Sequence, residues 1–178
     1  MTGATHASLG ALAGAALSRL AGGPDPLLAL AGAAGGLLPD LDRPGTKAWR
    51  RLVPLATAAI AAQCLGAQLP RAVLAATMAA PGLLLLGLAT GHREATHSLL
   101  ALAASAALFL TTGSGLQGAA IWAGMATHIL ADLLTPEGVP LLWPARPRHS
   151  LAALRTGGAA DLLLGAGSLA ATLAVLFR

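Results

Sequence analysis

His128 and Asp132 stand four residues apart in a long apolar run, which the chain leaves through Pro136, Gly138 and Pro140 to reach Trp143 and Pro144. Positions i and i+4 share one helix face, so an imidazole and a carboxylate project together from the end of a hydrophobic helix. Ionisable groups are costly among apolar surroundings and mark sites when they occur there. Neutral imidazole with carboxylate suits zinc, manganese or iron. A buried His–Asp hydrogen bond is the structural alternative.

Three other places offer the same chemistry. Asp40 and Asp42 follow Pro39 at the end of an apolar run. Two acids so spaced in a loop can give separate oxygens to one ion, or bridge two. Negative charge at a helix C-terminus opposes the macrodipole, and a cation there would offset the repulsion. His92 and His97 flank Arg93, Glu94, Ala95 and Thr96. Five residues apart, they do not share a face of one regular helix, which predicts a loop, with Thr96 or Ser98 as the next N-cap. His6 follows Thr5 near the start of the first apolar run.

Around these ligand candidates lie residues with other uses. Arg93 could hold an anionic substrate oxygen, and Glu94 or Asp161 could move a proton. Their plain alternatives are a topology charge, an exposed loop acid and a carboxylate stabilising a helix N-terminus. His149, among Arg146, Arg148 and Ser150, reads as a surface or headgroup contact. Cys64 sits alone in an apolar run, so it has no disulfide partner within the chain and reads as inert packing.

The elements that must position these groups follow from hydropathy. Of 178 residues, 56% are hydrophobic and only 10% charged, too little charge to cover a soluble surface. Continuous apolar runs, rather than alternation, exclude a transmembrane β-barrel. The expected fold is all-α: one integral-membrane domain over residues 1–178, a bundle of about five to seven membrane helices, some short or re-entrant. The runs are 7–21, 27–38, 52–69, 72–90, 98–112, a sixth ending near Leu134, and 159–177. The first lacks a positively charged leader, so no cleaved signal peptide is expected. Aromatic interleaving for base stacking is missing, which argues against nucleic-acid binding.

Parity then sorts the charges. If the runs pair as out-and-back excursions, the segments 40–51, 91–97 and 135–158 share one side of the membrane with His6 and Asp161. That side holds Arg43, Lys47, Arg50, Arg51, Arg93, Arg146, Arg148 and Arg155. The other holds Arg19, Arg71 and Arg178. The positive-inside rule makes the first side cytoplasmic. All five histidines, and every acid except Asp25, fall there too. The rule concerns Lys and Arg, so it does not require this gathering of acids and imidazoles. A metal site does.

Taken together, Thr5-His6, Leu37-Leu38-Pro39-Asp40-Leu41-Asp42, the His92-Arg93 to His97-Ser98-Leu99 segment and the His128 to Pro144 stretch resemble the membrane-bound metal-dependent hydrolase family of YdjM-like inner-membrane proteins. The four motifs appear in the family's order and span most of the chain. Glu94 departs from the glycine often found after the family's His-Arg pair. The resemblance implies a multi-span protein of a bacterial or archaeal inner membrane, with predicted metal-dependent hydrolase activity and polar positions at His6, Asp40, Asp42, His92, His97, His128 and Asp132. A more distant likeness to soluble zinc phospholipase C and nuclease proteins rests on the helical His-x-x-x-Asp.

The expectation is therefore a hydrolase holding one or two divalent ions, zinc first, with manganese or iron as alternatives. Its N-terminus and site face the cytoplasm, and a lipid or phosphoester is the expected substrate. A divalent-cation transporter or channel would use the same ligands but needs a polar path across the bilayer. A non-catalytic membrane scaffold would pair the polar groups structurally.

Overall fold

The computed structural model describes residues 1–66 and 68–178. Ala67 and the side chains of Lys47, Ala48, Arg51, Ala72, Ala75 and Met78 lie outside the described residues, and with them the topology charges Lys47 and Arg51. The described chain is all-helical: α1 (Gly3–Leu20), α2 (Pro26–Gly35), α3 (Lys47–Cys64), α4 (Arg71–Thr90), α5 (Leu99–Thr111), α6 (Gly115–Leu133) and α7 (Ala159–Phe177). Two 3₁₀ turns interrupt the series, η1 (Pro39–Asp42) between α2 and α3, and η2 (Ala95–His97) between α4 and α5.

Local chemistry sets most of these ends. Thr2, Asp25, Thr46 and Ser98 each accept a hydrogen bond from a first-turn amide of α1, α2, α3 and α5, satisfying donors that a helix leaves open. Ser98, not Thr96, is the cap of α5. Pro54 and Pro81 lie inside α3 and α4 without ending them.

The packing centre is α1, α2 and α6, held together by glycines. A Cβ at Gly10 would overlap the Gly32 carbonyl, one at Gly14 the Leu28 carbonyl, and one at Gly36 the His6 carbonyl. These pairs step by four residues in opposite directions, so α1 and α2 run antiparallel with backbones in contact. Gly35 and Gly124 give α6 the same access to α2, against Ile121 and Gly32 respectively. Small residues spaced by four allow this close approach between apolar helices. The register sets His6 beside Gly36.

α7 lies parallel to α1, joined near one end by Thr5 and Asp161 and near the other by Arg19 donating to the Val175 carbonyl at 2.7 Å. The α3–α4 hairpin meets the rest through η1, η2, α5 and α6. Leu38, Leu41, Ala80, Phe109, Ile121 and Met125 form the apolar cluster at that junction.

The number of crossings is less uniform than hydropathy suggests. Among the described residues, α7 is the one helix long and apolar enough to cross a bilayer by length and composition. α2 has ten residues and α5 thirteen. At ~1.5 Å per residue both fall short of a ~30 Å hydrocarbon core. Large apolar side chains nonetheless face outward on every helix, among them Leu20, Leu30, Leu55, Leu85, Leu110, Leu130 and Leu173. Cys64 ends α3 on an exposed face, which corrects its reading as packing.

Because a methyl at position 32 has no space, Gly32→Ala is expected to destabilise the fold by ~1–3 kcal/mol, the usual range for overpacking. A Cβ at Gly82 meets nothing within 4 Å. Gly82→Ala is therefore expected to leave the thermal midpoint unchanged or raise it. Equal melts for the two variants would contradict the glycine-packed register.

Candidate functional site

The close α1–α2–α6 packing brings the C-terminal end of α2 against His128, whose Nδ1 lies 2.7 Å from the Gly36 carbonyl oxygen. A carbonyl only accepts, so Nδ1 donates and a neutral His128 carries its lone pair on Nε2. Across from it stands His97, at the end of η2. Thr96 Oγ1 donates to Asp42 Oδ2 at 2.6 Å and lies 2.9 Å from His97 Nδ1. The threonine has one proton and gives it to the carboxylate, so His97 Nδ1 donates to Thr96. The lone pair of a neutral His97 is again on Nε2. The two Nε2 atoms face each other at 3.1 Å.

Carboxylates converge on this pair. Asp132 Oδ2 lies 3.6 Å from His128 Nε2 and 3.7 Å from His97 Nε2. Asp40 Oδ1 lies 3.7 Å from His128 Nε2. His6 stacks on His128 with ring centroids 3.7 Å apart and puts Nε2 3.2 Å from Asp132 Oδ1. His6, His97, His128 and Asp132 are wholly buried. Both His6 ring nitrogens and Asp132 Oδ2 lack hydrogen-bond partners. Buried polar atoms rarely stay unpaired; one ring nitrogen of a neutral His6 is an acceptor, as is Asp132 Oδ2.

Three groups have donor atoms close enough to share an ion: His6, His128 and Asp132; Asp40, His97 and His128; and Asp40, Asp42 and His92. Together they contain all seven polar positions expected from the sequence, drawn from α1, η1, the α4–η2 turn, η2 and α6. In a tetrahedral shell with bonds of ~2.0–2.1 Å, ligand atoms sit ~3.3 Å apart. The spacing around the His97–His128 pair is of that size.

Asp42 is held differently. Oδ1 lies 2.7 Å from His92 Nδ1, and Oδ2 accepts from the Arg93 amide at 3.1 Å as well as from Thr96. Its lone pairs are largely engaged by the groups around it. Burial pushes this carboxyl up, but the hydrogen bonds from His92 and Thr96 and the nearby His97 ring outweigh burial and hold it well below the ordinary carboxylate range. The η1 turn reaches this position because Gly87 of α4 has no side chain: a Cβ there would overlap Asp42.

Arg93 adopts φ 58, a left-handed conformation uncommon for a non-glycine residue. The turn aims its guanidinium inward, with Nη2 donating to Asp132 Oδ1 at 3.1 Å and Nη1 3.6 Å from Glu137. The amine of Met1 also donates to Asp132 Oδ1, at 2.7 Å.

The two proton-shuttle candidates lie elsewhere. Glu94 pairs with Arg148 at the rim. Asp161 is buried, but accepts from the Thr2 and Gly157 amides and from Thr5 Oγ1. It ties α7 to the start of α1, and its oxygens are already engaged. His149 is half-buried, and its backbone exchanges two hydrogen bonds with Val139 at 3.0 and 2.9 Å. This folds the Pro/Gly exit back over α6, where the Leu151 and Leu154 amides cap the Leu133 and Leu134 carbonyls.

Sequence comparison places the chain in a group. The family model described as YdjM inner membrane protein matches residues 1–177. The chain belongs to the YdjM inner membrane protein family. Inner membrane protein YdjM of Escherichia coli (strain K12) and that of Shigella flexneri are each 49% identical over 71 residues, 35% of this chain and 35% of the relative. The matched stretch thus spans about a third of those relatives. Uncharacterized protein YvsG of Bacillus subtilis (strain 168) is 28% identical over 173 residues, 94% of this chain and 89% of that protein. No solved structure matches.

Thr96, Gly36 and Gly87 did not stand out as parts of the site. Thr96 read as a possible cap, and only its position between two site residues on one turn could have flagged it. The glycines had no signal beyond their closeness to η1 and to the His92 turn.

The Asp42 network carries a pH signature. With its pKa depressed by folding, Asp42 stabilises the native state fully above the unfolded value of ~3.9. That contribution fades as pH falls through the lower native value. The stability gap between the wild type and Asp42→Asn is therefore expected to narrow progressively below pH ~4. Denaturant melts at stepped pH test this, and a gap that widens below pH ~4 would refute it.

Proposed function

We propose that this protein is a membrane-embedded hydrolase that depends on one or two divalent metal ions held by the His/Asp cluster. The observation carrying this reading is the opposition of the His97 and His128 Nε2 atoms at 3.1 Å, each ring fixed by a donated Nδ1 proton. Two lone pairs in that position repel unless a cation lies between them. A single proton would also join them, but Asp40 Oδ1 and Asp132 Oδ2 lie within 3.7 Å of His128 Nε2 and complete a nitrogen–oxygen donor set that a shared proton does not need.

His97, His128, Asp132 and Asp40 would hold the first ion, with His6 beside Asp132 as a further ligand. His92 and Asp40 would hold a second, with Asp42 on its edge. Histidine nitrogen and carboxylate oxygen suit zinc, with manganese or iron as alternatives. When bound, such an ion lowers the pKa of a coordinated water and polarises a phosphoryl or carbonyl oxygen.

The chain's own groups then have distinct tasks. Asp42, through Thr96, fixes the tautomer and orientation of His97, as a second-layer carboxylate does. The Gly36 carbonyl does the same for His128. Arg93 is placed to hold an anionic oxygen of the substrate against the cluster. The preferred substrate is a lipid or lipid-like phosphoester. In the membrane, the long helices α1, α3, α4, α6 and α7 would serve as spans, with α2 and α5 as short members. The excess of Lys and Arg on the site side would set that end in the bacterial cytoplasm.

A transporter is less well supported. Among the described residues, the buried carboxylates Asp42, Asp132 and Asp161 all belong to one end of the bundle.

Purified protein reloaded with zinc is expected to retain ~1–2 equivalents and to hydrolyse phospholipid vesicles only in the loaded form. His128→Ala is expected to lose the ion yet keep a cooperative melt. Thr96→Val should weaken metal affinity by ~10–100-fold. Elemental analysis beside a thermal melt reads both variants. A wild type that takes up no transition metal would overturn the proposal. A His128→Ala chain that unfolds, from a wild type that never bound metal, would support the scaffold instead.

A further inference from the structure

Beside the cluster lies an apolar slot of about 440 Å³, between α2, the α3–α4 hairpin and the start of α6. Its size falls in the ~300–1,000 Å³ range of small-molecule sites. α2 lines it with Leu27, Leu30, Ala31 and Ala34, a stripe at helical spacing. The polar side chains on its walls are Thr77 and Gln117. Thr77 gives its hydroxyl proton to the Leu74 carbonyl of its own helix, so it offers none to the slot.

The ends of the slot differ. One reaches Leu27, Pro70 and Gln117, at the far ends of α2, α4 and α6 from the cluster. The other reaches Leu38 and Leu41, and these two leucines bracket Asp40. The η1 turn is thus two-sided. Leu41 faces the slot while Asp40 and Asp42 face the histidines. Leu30 and Leu55 on the slot walls are each 66% exposed, so the slot opens sideways along the helices.

We infer that this slot holds a hydrocarbon chain of a membrane phospholipid whose phosphoester end lies at the His/Asp cluster. The inference rests on the proposed metal-site reading. The occupant must be apolar along the slot and anionic at η1, where Arg93 and the cluster stand. A lipid entering sideways from the bilayer meets both demands. Filling the slot also gives its leucines the dispersion contacts that an empty groove forfeits. The chain would hold the headgroup in place, so that apolar binding orients the reacting bond.

A phospholipid bearing a mid-chain diazirine tests this. The full chain is placed in nanodiscs of phosphatidylethanolamine and phosphatidylglycerol containing the probe, irradiated, digested and mapped by mass spectrometry. Adducts are expected on Leu30, Leu55 and Val73, well above those on Leu110 of α5 and Leu169 of α7. Ala31→Phe and Ala76→Phe, which fill the slot, are expected to cut those adducts about tenfold, near 1.4 kcal/mol of binding, with bound metal unchanged.

Adducts spread evenly over the outer helix faces, as for lipids merely surrounding the bundle, would overturn the inference. So would cross-links from the slot to a second copy. The wild-type map decides even if a filling variant misfolds. The parent reading is judged separately: a labelled slot in a chain that binds no metal would sink the hydrolase reading and leave a lipid-binding groove.

Discussion

Two imidazole nitrogens facing each other at 3.1 Å are a repulsive arrangement unless something positive joins them, and the surrounding structure is organised to keep them there. On one side, His128 cannot turn because its Nδ1 is held by Gly36. That bond exists only because α2 comes within backbone contact of α1 and α6, which the glycines at 10, 32, 35, 36 and 124 permit. On the other side, His97 is held through Thr96 by Asp42, and Asp42 fits where it does because position 87 has no side chain. Two independent chains of contact, one through helix packing and one through a carboxylate, end on the same pair of atoms.

The sequence made much of this legible. Proline and glycine punctuate the apolar runs, so the helices fall close to the expected places, and α7 matches its run at both ends. Counting excursions was enough to gather His6, Asp40, Asp42, His92, His97, His128 and Asp132 at one end, because helix ends are set by local chemistry and their side follows from parity. Parity says nothing of the contacts inside that end. Glu94 and Asp161 lie at the right face, yet one turns to Arg148 and the other to the Thr2 and Gly157 amides. Such choices depend on where loops place donors in three dimensions. Thr96 escaped notice for the same reason: its hydroxyl matters through its partners, not its spacing.

The hydropathy of the helices reflects a division of labour. α1 and α6 carry His6 and His128, and their packing faces are rich in small residues, which bring backbones together but add little apolar surface. α7 carries no cluster residue and is the helix that passes as a membrane span on length and composition. In lipid, helices gain little from merely hiding apolar surface from one another, so close backbone contact has to hold the bundle. Glycine-dense helices such as α1 and α6 permit that contact while adding little to hydropathy.

The position of the cluster argues for chemistry at one face rather than passage between faces. An ion crossing the bilayer needs stepping points of similar affinity along its path. The buried carboxylates among the described residues instead belong to one end of the bundle, and what extends away from them along α2 is a slot walled by leucine and alanine. Such a wall repels a hydrated cation and welcomes a hydrocarbon chain. η1 forms the boundary, with Leu38 and Leu41 lining the slot and Asp40 and Asp42 turned to the histidines. On the proposed reading, polar groups held at the end of an apolar slot would take the head of an amphiphile whose chain lies in the slot.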